Sequence, residues 1–169
     1  MNWPQTADGE RLVHLFSVPA HWFWLDETSD RWVSVFIPYT ARQVSHYRRL
    51  RAKDGHSDAV VLAYIRASAE REESGGRALE RGRMERSVVQ EADDDENLAS
   101  KIDGIDAWLQ SRIAIDGFRR RLSIYGGDLD QAVPSAPGIL SDGMGYLLLP
   151  EKVTESGSCG GGRFFLQLG

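Results

Sequence analysis

The sequence predicts a single α+β domain in which an antiparallel sheet of about five strands packs against a central helical block. Short runs of β-branched and aromatic residues stand near both ends of the chain, and such runs are typical of strands. The middle of the chain instead carries apolar residues at helical spacing. Strands at both ends with helices between them favour α+β over an alternating α/β fold. The 169 residues are enough for one domain with a substantial core.

Three apolar runs near the N-terminus predict strands. They are Leu12–Phe16, Trp22–Leu25 and Trp32–Ile37. The loop Asp26–Asp30 has a length that joins the last two runs as a hairpin. If Leu25 pairs with Arg31, the alternation of side chains collects four aromatic residues on one face. These are Trp22, Trp24, Trp32 and Phe36. The opposite face then carries Phe23, Leu25, Val33, Val35 and Ile37.

The segment after the hairpin predicts a helix over Thr40–Lys53, with Thr40 as its N-cap and Gln43 at the capping-box position. A second helix is predicted from Ser57 onward, although the run Val60–Ile65 also fits a buried strand. Residues 70–97 are polar and densely charged, so we expect a mobile segment that contains a solvated helix within about 77–91.

The strongest helical periodicity lies between residues 95 and 122. Apolar residues recur there at spacings of three and four, at Leu98, Ile102, Ile105, Leu109 and Ile113. The pattern predicts one long helix, which ends at Gly126-Gly127 at the latest. A flexible loop is expected over residues 126–143. Two last strands, Met144–Leu149 and Arg163–Leu168, are predicted to complete the sheet.

The composition is that of a cytoplasmic protein without a cofactor. The chain has one cysteine, which excludes an internal disulfide and fits a reducing compartment. No apolar run approaches the roughly 20 residues that cross a bilayer, and the N-terminus has no signal-peptide pattern. The four histidines lack metal-ligand spacing and no Walker-type phosphate loop is present, so neither a metal nor a cofactor is predicted.

The leading functional hypothesis is a non-enzymatic protein-binding module. The net charge is −5, and residues 93–117 alone carry two basic and seven acidic residues. Acidic and aromatic side chains are the predicted contacts. They are the acidic ridge, defined as Asp93, Asp94, Asp95 and Glu96, and the tryptophans Trp22, Trp24 and Trp32. The expected partner is a basic or nucleic-acid-handling protein, and small inhibitors or accessory proteins of phages and mobile elements often have this character.

The first alternative is a nucleic-acid-binding subunit. Basic residues cluster on the predicted helix 40–53 and again near residue 120, and such clusters neutralise phosphates without reading sequence. The residues concerned are Arg42, Arg48, Arg49, Arg51, Arg119, Arg120 and Arg121. A solvated, salt-bridged surface explains the same arginines without any ligand.

The second alternative is a cysteine hydrolase. The run Gly157-Ser158-Cys159-Gly160-Gly161 resembles the G-x-C-G-G nucleophile loop of chymotrypsin-like viral cysteine proteases. That resemblance implies Cys159 as the nucleophile, with a base drawn from His14, His21, His46 or His56. A glycine-rich turn is the simpler interpretation, because residues 160–169 are too few to complete the second barrel of that family.

Overall fold

In the part of the chain that the structure describes, the fold consists of two antiparallel sheets and two short helices, a roughly α+β arrangement. A computed structural model describes residues 3–24, 30–66, 79–80, 82–88, 90, 98–151 and 161–169. Within these residues the strands are β1 (Val13–Pro19), β2 (Arg31–Ile37), β3 (Val60–Ile65), β4 (Lys101–Ile102), β5 (Phe118–Tyr125), β6 (Met144–Pro150) and β7 (Arg163–Gln167). The helices are α1 (Ser45–Leu50) and α2 (Gly126–Ala132), and Ala20–Trp22 forms a single 3-10 turn. None of the described helices is long and apolar enough to cross a membrane.

The strands form a three-stranded and a four-stranded sheet, so the prediction of one sheet of about five strands is wrong. The first sheet has the order β1-β2-β3 and the second the order β4-β5-β6-β7. Each sheet turns one apolar face inward, and the two faces share one core, as in other sheet-on-sheet packings. The first sheet contributes Phe16, Val18, Val33, Val35, Ile37 and Val61, and the second Leu122, Ile124, Leu147, Leu149, Phe164 and Leu166. The strands of the N-terminal part pair with one another, and so do those of the C-terminal part. Each resulting sheet buries its apolar face against that of the other.

The predicted hairpin between Trp22–Leu25 and Trp32–Ile37 is not formed. Instead β1 is the antiparallel neighbour of β2, from the pair Val13 and Ile37 to the pair Pro19 and Trp32. The amides of Phe23 and Trp24 both donate to the carbonyl of Ala20, which folds this run into a turn. The loop residues 25–29 lie outside the described residues.

The helical predictions for the middle of the chain are mostly wrong. The helix expected over residues 40–53 is limited to Ser45–Leu50, since Arg42 has a φ of 65° that interrupts helical geometry. The alternative interpretation of Val60–Ile65 as a strand is confirmed by β3. Ser57 caps no helix, because strand β3 follows it. Its hydroxyl donates to the carbonyl of Phe164 at 2.6 Å and ties the segment before β3 to β7.

No long helix covers residues 98–122, the part of the predicted helix that the structure describes. The described part of that range contains the short strand β4, an irregular loop and strand β5. The loop covers the outer face of the second sheet, where its apolar residues contact Met144, Tyr146, Leu148 and Phe165. Those loop residues are Trp108, Leu109, Ile113 and Ile115. The apolar residues whose spacing suggested one face of a helix therefore belong to a loop that covers the sheet.

Three further expectations concern the segments 77–91, 126–143 and the C-terminus. The described residues of 77–91 contain no helix. Most of the charged segment 70–97 lies outside the described residues, including all of 70–78 and 91–97. Residues 126–143, expected to be a flexible loop, contain α2 and the fully buried Ile139 and Leu140. The two C-terminal strands are confirmed by β6 and β7.

Candidate functional site: the outer face of the first sheet

The candidate site is the face of the first sheet that points away from the shared core. We call it the outer face. Strand β2 contributes Trp32, Ser34 and Phe36, and the register places their neighbours from β1 and β3 beside them. Those neighbours are His14, Ser17 and Pro19 from β1, and Val60, Leu62 and Tyr64 from β3. The outer face thus combines aromatic rings with hydroxyl groups, and aromatic rings with a polar group are suited to recognition where they stay accessible.

One end of the outer face is covered by the N-terminal segment. Trp3 packs its ring edge-on against Phe36 with a centroid separation of 5.4 Å, and its indole N–H donates to the carbonyl of Leu12 at 2.6 Å. Leu12, Phe36 and Leu62 form a small buried cluster beneath this segment. This end is therefore a closed satellite core.

A chain of polar side chains crosses the middle of the outer face. His14 Nε2 lies 2.7 Å from Ser17 Oγ, Ser17 Oγ lies 2.6 Å from Ser34 Oγ, and Ser34 Oγ lies 3.0 Å from the hydroxyl of Tyr64. The chain joins all three strands. Ser34 is only 1% exposed, so its hydroxyl depends on these partners.

The other end of the outer face carries Trp32, Tyr64 and Arg66. Trp32 pairs with Tyr64 across the strands, and both side chains are half-buried. The guanidinium carbon of Arg66 lies 5.2 Å from the centre of the Trp32 ring, within cation–π range. The indole N–H of Trp32 donates to the carboxylate of Asp30 at 2.9 Å, which holds the ring in place. A tryptophan, a tyrosine and an arginine thus meet on one partly open surface.

The structure separates the aromatic residues that the sequence placed on one face. Trp32 and Phe36 do share the outer face, but Trp24 is buried in the main core and donates its indole N–H to the carbonyl of Glu151 at 3.1 Å. Trp22 packs against the same core, with the guanidinium of Arg86 6.0 Å from its ring centre. The reason is the turn at Ala20, which removes Trp22 and Trp24 from strand alternation. The acidic ridge Asp93, Asp94, Asp95 and Glu96 lies outside the described residues.

The arginines around α1 differ in their surroundings. Arg42, Arg48 and Arg51 are exposed. Arg49 instead makes ion pairs with Glu10 and with Asp58, the latter at 2.7 Å. Burial alone would lower the pKa of Arg49, but the hydrogen bonds to the two carboxylates outweigh it and the pKa is raised. Arg49 is therefore a structural cross-link between three segments.

Arg119, Arg120 and Arg121 do not form a common basic surface. Arg119 is exposed, whereas the Arg120 side chain is only 1% exposed and donates to Asp106 at 2.7 Å. Its other nitrogens donate to Ser123 Oγ and to the carbonyls of residues 103, 104 and 105. Arg121 pairs with Asp103 at 3.0 Å. Arg120 and Arg121 thus fasten the loop after β4 to the second sheet and are turned away from external phosphates.

The catalytic residue of the second alternative falls outside the described residues, whereas its suggested bases lie within them. Cys159 lies outside the described residues. Of its four suggested bases, His46 is 3% exposed with Nε2 3.0 Å from the carbonyl oxygen of Ile139, and burial lowers its pKa. His14 belongs to the polar chain, while His21 and His56 are exposed. In the part of the chain that the structure describes, no group of three His, Cys, Asp or Glu side chains could hold a metal ion.

Sequence reasoning identified Trp32 and named His14 only as a candidate base, and it missed Ser17, Tyr64 and Arg66. Tyr64 and Arg66 were missed because a helix was predicted from Ser57 onward, with the strand Val60–Ile65 only as the alternative. Alternation of Val61 and Ala63 with Leu62 and Tyr64 was the available signal, because a strand would have placed Tyr64 opposite Trp32. Comparisons with protein-family models, with curated proteins and with solved structures found no match.

Proposed function

We propose that this chain is a non-enzymatic protein-binding module whose contact surface is the open end of the outer face. The observation that carries the proposal is the meeting of Trp32, Tyr64 and Arg66 on one partly open surface. Tryptophan, tyrosine and arginine are the residue types most enriched at the energetic centres of protein interfaces. Their rings are held by strand pairing and by Asp30, so little conformational entropy remains to be lost on binding.

The charge of the chain supports a basic partner. The net charge is −5, and the acidic ridge over residues 93–96 supplies four carboxylates that steer a basic protein toward the chain. A cytoplasmic inhibitor or accessory protein acting on nucleic-acid-handling machinery, of the kind that phages and mobile elements encode, fits this combination of acid and aromatic residues. In this proposal the acidic ridge raises the association rate of the complex, whereas Trp32 lowers its dissociation rate.

The test is binding of a partner by matched variants. The tagged chain is purified from its own host, a co-purifying protein is identified by mass spectrometry, and its Kd is measured with purified components. Trp32→Ala is expected to weaken the complex by about thirtyfold or more, the loss typical of an interface hot spot. Trp22→Ala is the matched control, since Trp22 is also half-buried but packs on the main core. Equal affinity of the partner for wild type and Trp32→Ala would refute the proposal.

The acidic ridge is tested separately. Replacing Asp93, Asp94 and Asp95 with Asn and Glu96 with Gln is expected to slow association and to reduce its dependence on salt. The dissociation rate should change little. An unchanged association rate would exclude the ridge while leaving the role of Trp32 standing.

A second candidate, nucleic-acid binding, is favoured by one specific observation. Arg42, Arg48, Arg51 and Lys53 are exposed around α1, and no ion pair joins them to an acid within the described ranges. They form a smaller basic surface than the sequence suggested, because Arg49, Arg120 and Arg121 are already paired. This candidate predicts affinity for DNA or RNA that falls steeply with added salt and is lost in the double variant Arg48→Gln/Arg51→Gln. Binding that ignores salt would exclude it.

A further inference from the structure

The open end of the outer face already holds a cation on a tryptophan ring. The guanidinium carbon of Arg66 lies 5.2 Å from the centre of the Trp32 ring. The amide of Arg66 donates to the carbonyl of Asp30 at 2.9 Å, so the pairing of β2 with β3 continues beyond the two strands. Asp30 and Arg66 therefore form a cross-strand pair next to the pair Trp32 and Tyr64, on the same face.

The Trp32 ring is held in place by contacts that do not involve Arg66. Its indole N–H donates to Asp30 Oδ1 at 2.9 Å. The register places Pro19 on one side of Trp32 and Tyr64 on the other, and the hydroxyl of Tyr64 lies 3.0 Å from Ser34 Oγ. The ring is thus positioned for a cation before any partner arrives.

The Arg66 side chain is held weakly by comparison. It is exposed, and no ion pair or side-chain hydrogen bond joins it to another residue in the described ranges. A cation–π contact at an exposed site changes an equilibrium by only about two- to fivefold. A competing cation can therefore displace Arg66 from the ring.

The charge beside the ring favours a cation as the ligand. Asp30 is exposed, and within the described residues its carboxylate takes part in no ion pair. Its negative charge lies at the edge of the Trp32 ring and attracts a cation that is placed on the ring face. The net charge of −5 acts in the same direction.

We propose that Trp32 is the docking site for a lysine or arginine side chain of the basic partner, and that Arg66 occupies this site while the partner is absent. The incoming cation replaces Arg66 on the ring and has Asp30 as its counter-charge. Its hydrocarbon stem lies along the apolar surface of Pro19 and Tyr64. That the cation belongs to a protein partner rests on the proposed function, whereas the cation site itself is tested without any partner.

The test is an NMR titration of the whole chain at constant ionic strength. Nα-acetyl-arginine amide and Nα-acetyl-lysine amide are separate probes, and Nα-acetyl-citrulline amide is the matched reference that keeps the shape of arginine without its charge. The indole N–H of Trp32, assigned through Trp32→Phe, and the backbone amide of Tyr64 are followed. Saturable shifts that the citrulline compound does not reproduce support the site, and the two Kd values identify the preferred cation.

Two variants test the roles of the charged neighbours. Arg66→Gln should bind the probes about two- to fivefold more tightly, because the competing cation is gone. Arg48→Gln is its control, since it removes the same charge from an exposed position on α1. Asp30→Asn keeps an acceptor for the indole but removes the charge, so it should weaken binding about twofold or more. Glu80→Gln, at another exposed acid, is the control for Asp30→Asn.

Three outcomes would overturn the inference. They are the absence of a saturable shift, an equal shift with the citrulline compound, and weaker binding in Arg66→Gln, which would make Arg66 a contact instead of a competitor. If the probes do not bind while Trp32→Ala still weakens the partner complex, the inference falls and the proposed function stands. If the probes bind but the partner is indifferent to Trp32→Ala, the proposed function falls and the cation site stands.

Discussion

His14 and Ser17 are three residues apart on β1, yet His14 Nε2 lies 2.7 Å from Ser17 Oγ. In a regular strand, residues three apart point to opposite faces. The register of β1 against β2 shifts between His14 and Phe16, which makes Leu15 the extra residue of a β-bulge. The bulge turns Phe16 into the core and leaves both His14 and Ser17 on the outer face. One inserted residue therefore creates the polar chain that leads to Tyr64.

The polar chain is expected to matter for stability at Ser34. This hydroxyl is buried and bonds both Ser17 and Tyr64. Ser34→Ala removes it and leaves two polar neighbours short of a partner, which should lower the free energy of unfolding by about 1–3 kcal/mol. Urea denaturation measures the effect. Ser135→Ala, at an exposed serine, is the control and should change stability by no more than about 0.5 kcal/mol. Equal stability of the two variants would show that the chain contributes nothing.

A second bulge explains why β5 could not be recognised from the sequence. Its register against β6 shifts between Arg120 and Leu122, so Arg121 is the extra residue. Arg120 consequently faces outward opposite Leu148, while Leu122 faces the core opposite Leu147. Plain alternation would have put both on one face, and the pattern of residues 118–125 therefore lacked the two-residue period of a strand.

The loop before β5 misled for a different reason. Its apolar residues follow helical spacing, but an apolar layer that covers a sheet needs contacts and no particular period. Asp103 and Gly104 both have positive φ, 50° and 71°, which a helix does not allow. The Asp-Gly dipeptide was a legible turn signal. By contrast, β2, β6 and β7 were predictable, because short β-branched and aromatic runs suffice to identify strands that are buried on both faces.

Arg120 is expected to hold the loop after β4 in its place on the second sheet. Arg120→Met removes five hydrogen bonds from a buried site. The free energy of unfolding should fall by about 3 kcal/mol, the lower end of the range for a broken buried pair, because Asp106 is exposed enough to be rehydrated. Arg119→Met, at the exposed neighbour, is the control and should stay within about 0.5 kcal/mol of wild type. Hydrogen exchange at residues 103–109 should accelerate in Arg120→Met alone. A variant as stable as wild type would contradict this role.

His46 is expected to make stability depend on pH. Burial lowers its pKa below the ordinary value of 6.5, since the imidazole is buried with the rings of Tyr39 and Tyr47 against it. The unfolded chain then binds more protons than the folded chain below pH 6.5. The contribution of His46 to the free energy of unfolding is therefore fully present above that pH. It is lost as the pH falls from the pKa of the unfolded chain toward the lower pKa of the folded chain. Thermal melting between about pH 7 and pH 5 should show a shallower loss of stability in His46→Gln than in wild type.

The control for His46 is His21→Gln, because His21 is exposed. Its stability should follow the wild-type curve across the same pH range. If His46→Gln also followed that curve, another group would be responsible for the acid sensitivity.

The two adjacent glycines at the start of α2 are expected to respond to alanine in opposite directions. A Cβ atom on Gly126 would lie 1.8 Å from the carbonyl oxygen of Ser141, which is fixed backbone. Gly126→Ala should therefore lower the free energy of unfolding by about 1–3 kcal/mol through overpacking. A Cβ atom on Gly127 would approach only the ring of Tyr125, an exposed side chain that can rotate away. Gly127→Ala should then raise stability by up to about 1 kcal/mol, since alanine favours helix over glycine. Urea midpoints of the two variants measure both effects, and a loss of stability in Gly127→Ala comparable to that in Gly126→Ala would mean that Tyr125 is held in place.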